Sequence, residues 1–287
     1  MSGYYDAMMY VLLASVAFVF LDNLCQDVSP VIALFVMSGV ALLCFNLLSA
    51  SSLKQTYQSL GQHRWLFFSM SFALSIDWLC MVYATYLSDP FITMTALFVA
   101  SAFLGFLSLY KETGLKMHLL SMLLLLISLV VLYFNYKIQK AGHLGYGILL
   151  GSLAGIAFFI YMLTSEKLCR RSNMSVLQVL ATRFWVLFLG SACFINLHEL
   201  PEVLQHHGLA LVVISIGSLV LPIYFNQQAI QKLGTAPASI LISLVPSTTY
   251  LIYTLWSKNL VFINMFVCIL ITAALVMPKL IVVKWRQ

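Results

Sequence analysis

The sequence predicts an all-α polytopic membrane protein, with ten transmembrane helices arranged as two inverted five-helix repeats. Three observations carry this. Only 8% of the 287 residues are charged and 62% are hydrophobic, against about 25% charged in soluble domains. The apolar residues fall into ten runs close to the roughly 20 residues that a helix needs to cross a bilayer. These runs are unbroken, whereas barrel strands alternate. Ten also divides into five and five, and an odd number of spans per half gives the halves opposite orientations.

The runs lie at 5–22, 30–49, 65–87, 91–110, 115–135, 144–164, 176–197, 208–229, 236–256 and 259–283. The first has Asp6 where a cleaved leader would carry positive charge, so it is expected to stay as an uncleaved helix. Ser29-Pro30 and Asp89-Pro90 each put a capping side chain before a proline at the first helical position. In the sixth run Gly147, Gly151 and Gly155 form a small-xxx-small seam, the pattern of closely packed helices. A polar break, His198-Glu199-Leu200-Pro201-Glu202, is closed by Gln205-His206-His207-Gly208. Pro222 removes a backbone hydrogen bond and predicts a kink in the eighth run. The fifth and tenth runs are nearly featureless and would face lipid or a second copy of the chain in a homodimer; the sequence does not decide between them. The connections are short, and no soluble domain is expected.

The basic residues orient the helices. With the N-terminus in the cytoplasm, that side holds Lys54, Arg64, Lys111, Lys116, Lys167, Arg170, Arg171, Lys232, Lys279, Lys284 and Arg286. The other side holds only Lys137, Lys140 and Lys258, and collects Asp27, Asp89, Glu199 and Glu202. Both termini are therefore expected in the cytoplasm. The net charge of +6 reflects this topology and not an affinity for nucleic acid.

Residues 1–140 and 141–287 read as the two repeats. The stretches TMTALFVASAFLGFLSLYKETG and PASILISLVPSTTYLIYTLWSKN each follow an aromatic-rich helix and a short polar link. Each ends in a polar turn before a long apolar helix. Inverted repeats of this kind recur in secondary transporters, with the site near mid-membrane. The layout resembles the drug/metabolite transporter superfamily in its EamA-type branch. The residues that carry the resemblance are Tyr224, Ala229, Gly234-Thr235-Ala236-Pro237-Ala238-Ser239, Leu244-Val245-Pro246 and Trp256-Ser257-Lys258-Asn259. The first repeat keeps an acidic exit at Lys111-Glu112 but has Val99 where the proline would stand; the second keeps the proline but has Asn259 in place of the glutamate. Ala14-Ser15 stands near the position of the family's Trp-Gly. The resemblance implies export or exchange of small metabolites, coupled to protons, across a cell inner membrane.

Asp77 is the deepest acid, at the middle of WLFFSMSFALSIDWLCMVYATY. An ionised carboxylate there costs about 2.5–3.5 kcal/mol on insertion scales. It is expected to face an internal path, binding a substrate amine, a proton, or each in turn, with Trp78 beside it as an amphipathic wall. The alternative is a protonated or hydrogen-bonded aspartate that only packs helices. Tyr224 and Gln227 share one helix face and would wall a cavity, or lie wet at the interface. Ser243 and Tyr250 stand at helical spacing around Pro246, where they would satisfy freed backbone groups or touch a substrate. Tyr161 lies beyond the glycine seam, towards the cavity mouth. Asp22 would form a second polar station at the outer end of the first helix, or simply be solvated. Arg183, two turns into the seventh run, is expected to snorkel to the cytoplasmic surface; the alternative is that it pairs with Asp77 or an anionic substrate.

No catalytic grouping, metal site or cofactor motif is visible; His206 and His207 are adjacent and point apart. The first function that follows is a secondary active transporter, an exporter in the family's habit, of a small polar metabolite such as an amino acid or amine. It would work by alternating access in the lipid bilayer. A non-transporting scaffold or regulator is the second; it predicts a packed Asp77 and no cavity. A lipid-modifying enzyme lacks acids and histidines at a common depth.

Overall fold

The computed structural model describes residues 2–88, 90–113, 115–139, 144–257 and 260–284, and these are all-helical. The Asp89 cap, Lys140, Lys258, Asn259 and Arg286 lie outside that set, as do the side chains of Asp22, Asp27, Glu112, Lys137, Trp256, Ser257, Lys279 and Lys284. The expected runs each find helix. They are α1 (Ser2–Asp27), α2 (Pro30–Leu48), α4 (Arg64–Leu87), α5 (Pro90–Thr113), α6 (Lys116–Gln139), α7 (Leu144–Ser172), the pair α8 (Val176–Arg183) and α9 (Trp185–Phe194), the pair α10 (Leu200–Ile214) and α11 (Leu221–Leu233), the pair α12 (Thr235–Ile242) and α13 (Val245–Ser257), and α14 (Phe262–Lys284). Among the described residues eight segments are long and apolar enough to cross a membrane, and Phe262–Pro278 is a shorter apolar helix. This is a multi-pass membrane protein.

One helix has no counterpart in the apolar runs. The ten-residue α3 (Leu53–Gln62) is amphipathic and buries only Thr56 and Leu60. It lies against α8, and its Tyr57 hydroxyl meets Asn46 Oδ1 at 3.0 Å and accepts from Trp185 Nε1 at 2.9 Å. The Ser29 side chain makes no capping bond, although Pro30 does open α2.

Three spans are interrupted, two of them where proline removes a backbone donor. Pro246 cannot donate towards Ile242, and the chain breaks at Ser243-Leu244. Ser15 of α1 donates to the Val245 carbonyl there at 3.2 Å. Pro222 follows a π-helical turn, Ser215–Val220, that joins α10 to α11. The third break, at Phe184, has no proline.

The glycine seam works as the sequence predicts. A Cβ on Gly155 would stand 2.1 Å from the Leu97 carbonyl oxygen, and one on Gly151 would stand 2.9 Å from that of Thr93. Only glycine lets α7 lie this close to α5. α7 also runs along α4, while α1 runs along α11 and α13; α2 faces α8 and α9, α5 crosses α12, and α6 pairs with α14.

Polar bonds tie one end of the bundle. Lys232 pairs with Asp6 at 2.6 Å. Glu166 accepts from the Thr235 backbone N–H at 2.7 Å and from its hydroxyl at 2.6 Å, and pairs with Arg170 at 2.7 Å. A carboxylate at the start of α12 also suits the helix dipole. Gly234, at φ +84°, makes the turn between α11 and α12.

Candidate functional site

α4 carries Asp77 to mid-depth: by helical rise it stands about 20 Å from Arg64 and about 15 Å from Leu87. It is 4% exposed, and its Oδ1 has no hydrogen-bond partner. It borders a narrow cavity of about 20 Å³, roughly the room one water needs. α1 supplies Tyr10 and Ala14, α4 adds Leu74, Trp78 and Met81, and α5 adds Leu97 and Phe98. From the second half come Phe158 and Tyr161 of α7, Ser218 of the π turn, and Ile223 and Asn226 of α11. Phe158 sits between Phe98, met edge-on (centroids 6.1 Å), and Tyr161, met at a tilt (5.7 Å), giving the cavity an aromatic wall.

Asn226 is fully buried, and neither its amide nitrogen nor its oxygen has a partner. Buried polar groups are nearly always hydrogen-bonded. Two unmet groups on one small cavity therefore point to a place where a polar molecule is met.

Arg183 overturns the snorkelling expectation. The break at Phe184 ends α8 inside the bundle, and the guanidinium is 0% exposed. Nη1 donates to the Tyr161 hydroxyl and, at 3.4 Å, to Gln227 Oε1. The Tyr161 and Phe184 rings lie 5.1 and 5.0 Å from its central carbon. Nε and Nη2 have no partner. Two desolvated ring faces contribute about 2 kcal/mol each, whereas burying an ion costs several kcal/mol. Stacking alone does not offset the burial of this charge. Among the described residues the only direct ion pairs are Lys232–Asp6 and Arg170–Glu166. Asp77 and Arg183 are thus a buried acid and a buried base without a direct mate, both within electrostatic reach of Tyr10 and Tyr161.

The residues singled out in the sequence separate into three groups. Asp77, Trp78 and Tyr161 meet at the cavity. Gln227 stands behind it, fully buried and not wet: Ser165 donates to it at 2.8 Å, and its amide reaches Cys169 Sγ at 3.4 Å. The others lie apart from the cavity lining. Tyr224 accepts from Gln228 at 3.1 Å, and Ser243 donates to the carbonyls of Phe98 and Ser239 at 2.9 and 2.6 Å. Tyr250 spends its hydroxyl on the Val261 backbone, 2.7 Å from both N and O. The Asp22 side chain lies outside the described residues. Tyr10, Asn226 and Arg183 were missed as site residues; for Arg183 the signal was present, since any charge within a span is a functional candidate.

Residues 145–278, from the first turn of α7 to Pro278, match the model of the EamA-like transporter family. The chain carries an EamA-like transporter domain. The family is one of membrane transporters and not of enzymes. A search of curated protein sequences gave no match. A solved structure described only as the crystal structure of a protein is similar over 100% of this chain and 99% of its own, with TM-score 0.72 at 18% identity. That likeness is one of fold. The EamA-like domain supplies Phe158, Tyr161, Ser218, Ile223 and Asn226 to the cavity, and the preceding residues supply Tyr10, Asp77 and Trp78.

Proposed function

We propose that this protein is a secondary active transporter that exports a small polar metabolite bearing an amine, by alternating access between residues 1–140 and 141–287. The observation that carries the reading is Asp77: a buried carboxyl group with an unpartnered oxygen, on a narrow cavity lined from both parts of the chain. At about 20 Å³ the cavity admits no metabolite until helices move, as expected for a carrier in which the site opens to one side at a time. Asp77 takes the amine, or a proton in exchange for it.

The inverted-repeat reading is supported by helix pairing. α1 lies on α11 and α13, and α7 lies on α4 and α5, which are the corresponding helices of the opposite half. The remaining pairings, α2 with α8 and α9, α5 with α12 and α6 with α14, join equivalent positions to each other. The end of the bundle with Asp6, Glu166, Arg170 and Lys232 is the basic end, which the positive-inside rule assigns to the cytoplasm of an inner-membrane protein.

The test is uptake into proteoliposomes of radiolabelled amines and amino acids against an imposed pH gradient, for wild type and Asp77→Asn. Asp77→Asn is expected to lower the initial rate on the order of 100-fold, as for the loss of a buried charge-assisted contact. Undiminished transport by that variant would reject Asp77 as the site.

A further inference from the structure

The helix α3 is too short to cross a bilayer, and its surface differs from that of the spans. From Ala50 to Trp65 the chain carries Lys54 and Arg64 and no acid. Both cations are exposed. Among the described residues neither has an acidic side chain within ion-pair distance. The nearby acids of this end are already engaged, Asp6 by Lys232 and Glu166 by Arg170 and Thr235. The Arg64 guanidinium stands 6.0 Å from the ring centre of Trp65, and that indole is 76% exposed. Phe68, one turn further along α4, is exposed as well. A cation over an open indole at the end of a span suits the headgroup level of a membrane, where the ring takes the apolar side and the charge meets phosphate.

A second observation ties this surface to the core. The Trp185 indole donates to the Tyr57 hydroxyl of α3 at 2.9 Å. Tyr57 donates to Asn46 Oδ1 at 3.0 Å, and the Asn46 amide donates to the Ala181 carbonyl at 2.9 Å. Ala181 and Trp185 flank the break at Phe184, with Arg183 between them. Three hydrogen bonds thus bridge the break and pass through α3. We propose that α3 and the first turn of α4 form a docking surface for anionic phospholipid headgroups, and that a lipid bound there braces the α8–α9 break that holds Arg183.

Charge complementarity selects the occupant. Basic side chains beside a span are attracted to anionic lipid, and here two of them stand without a competing acid. A zwitterionic headgroup brings its own ammonium group and gains little. An acidic protein segment matches the charge but leaves Trp65 and Phe68 without the apolar medium that their exposure calls for. A phosphate held by Lys54 and Arg64 restrains α3, and Tyr57 passes that restraint to Trp185 and, through Asn46, to Ala181. The inference needs no transport activity.

The first experiment measures binding to the purified full-length protein by native mass spectrometry. The probes are phosphatidylglycerol and phosphatidylcholine with identical acyl chains, and soluble glycerol 3-phosphate. Wild type is expected to prefer phosphatidylglycerol. Lys54→Gln combined with Arg64→Gln is expected to weaken that binding on the order of tenfold. Lys167→Gln combined with Arg171→Gln, an exposed basic pair on α7 at the same end, is expected to leave it unchanged. Equal losses from the two pairs would mean a diffuse surface field and overturn the site, and so would equal binding of the two lipids. Binding of glycerol 3-phosphate as tight as that of the lipid would replace the membrane surface with a free phosphate ester.

Backbone amide hydrogen exchange reads the coupling. Phosphatidylglycerol is expected to slow exchange over residues 182–188 severalfold in wild type. Tyr57→Phe keeps the ring and both cations but loses the hydroxyl; it is expected to bind the lipid as before and to lose the slowing. Exchange at the break that ignores the lipid in wild type, or slows equally in Tyr57→Phe, would overturn the coupling.

Discussion

Asn226 separates what stabilises this protein from what it is for. Its amide is fully buried, and neither polar atom has a partner, which costs about 1–3 kcal/mol. Asn226→Leu, near in size and apolar, is expected to raise the stability of the ligand-free protein by about that amount while weakening ligand binding. Thermal melting with and without ligand reads both effects; a variant that is less stable would mean that Asn226 serves packing. Asp77 was legible in the sequence because an acid in the middle of an apolar run has few innocent explanations. Arg183 was not, because a long stem two turns from a helix end reaches either water or the core. What decides is Tyr161, 22 residues away, and Gln227, 44 residues away. Of the two readings open for Gln227, the wet interface is the one that fails, since Gln227 is fully buried behind the cavity.

At the scale of the element, length and hydropathy were enough to find the eight segments that can span a membrane among the described residues, because insertion into lipid depends on those two properties. The breaks were only partly legible. Pro246 and Pro222 announce theirs, whereas the one at Phe184 has no local signature. α3 escaped notice because ten amphipathic residues cannot span and leave no trace in a search for apolar runs. The glycine seam was the most specific local signal, and it makes a sharp prediction. Gly155→Val would drive a side chain into the Leu97 backbone, whose oxygen is 2.1 Å from the position of a Cβ. Because the obstacle is main chain, α5 and α7 must separate. The expected loss is at least the roughly 1–3 kcal/mol of ordinary overpacking. The same change at Gly145, with nothing within 4 Å of a Cβ, is expected to be silent. Melting temperatures of the two variants that fall together would refute the seam.

For the molecule as a whole, the bonds at the basic end tie neighbouring helices together, and in the proposed carrier they would oppose opening on that side. Lys232–Asp6 joins α11 to α1, and Glu166 joins α7 to the start of α12. The Lys232–Asp6 pair, with Lys232 exposed and Asp6 buried, is a single contact, whereas Glu166 accepts two hydrogen bonds, at about 1.5–3 kcal/mol for each bond to a carboxylate. Glu166 is therefore the stronger tie. Glu166→Gln combined with Lys232→Gln is expected to favour opening towards this end. A single cysteine placed at Ser218 should then react with a membrane-impermeant maleimide from that face on the order of tenfold faster, the effect of about 1.4 kcal/mol. An unchanged rate would show that these bonds only brace loops. The enclosure of one acid and one base in the same core has an electrical consequence. A side chain carrying one charge through the full membrane does work of about 2.3 kcal/mol per 100 mV. Asp77 and Arg183, shifting together, largely cancel that work. The return of the empty carrier proposed here should therefore proceed at the same pace whatever the membrane voltage, and any current recorded during turnover would belong to its cargo.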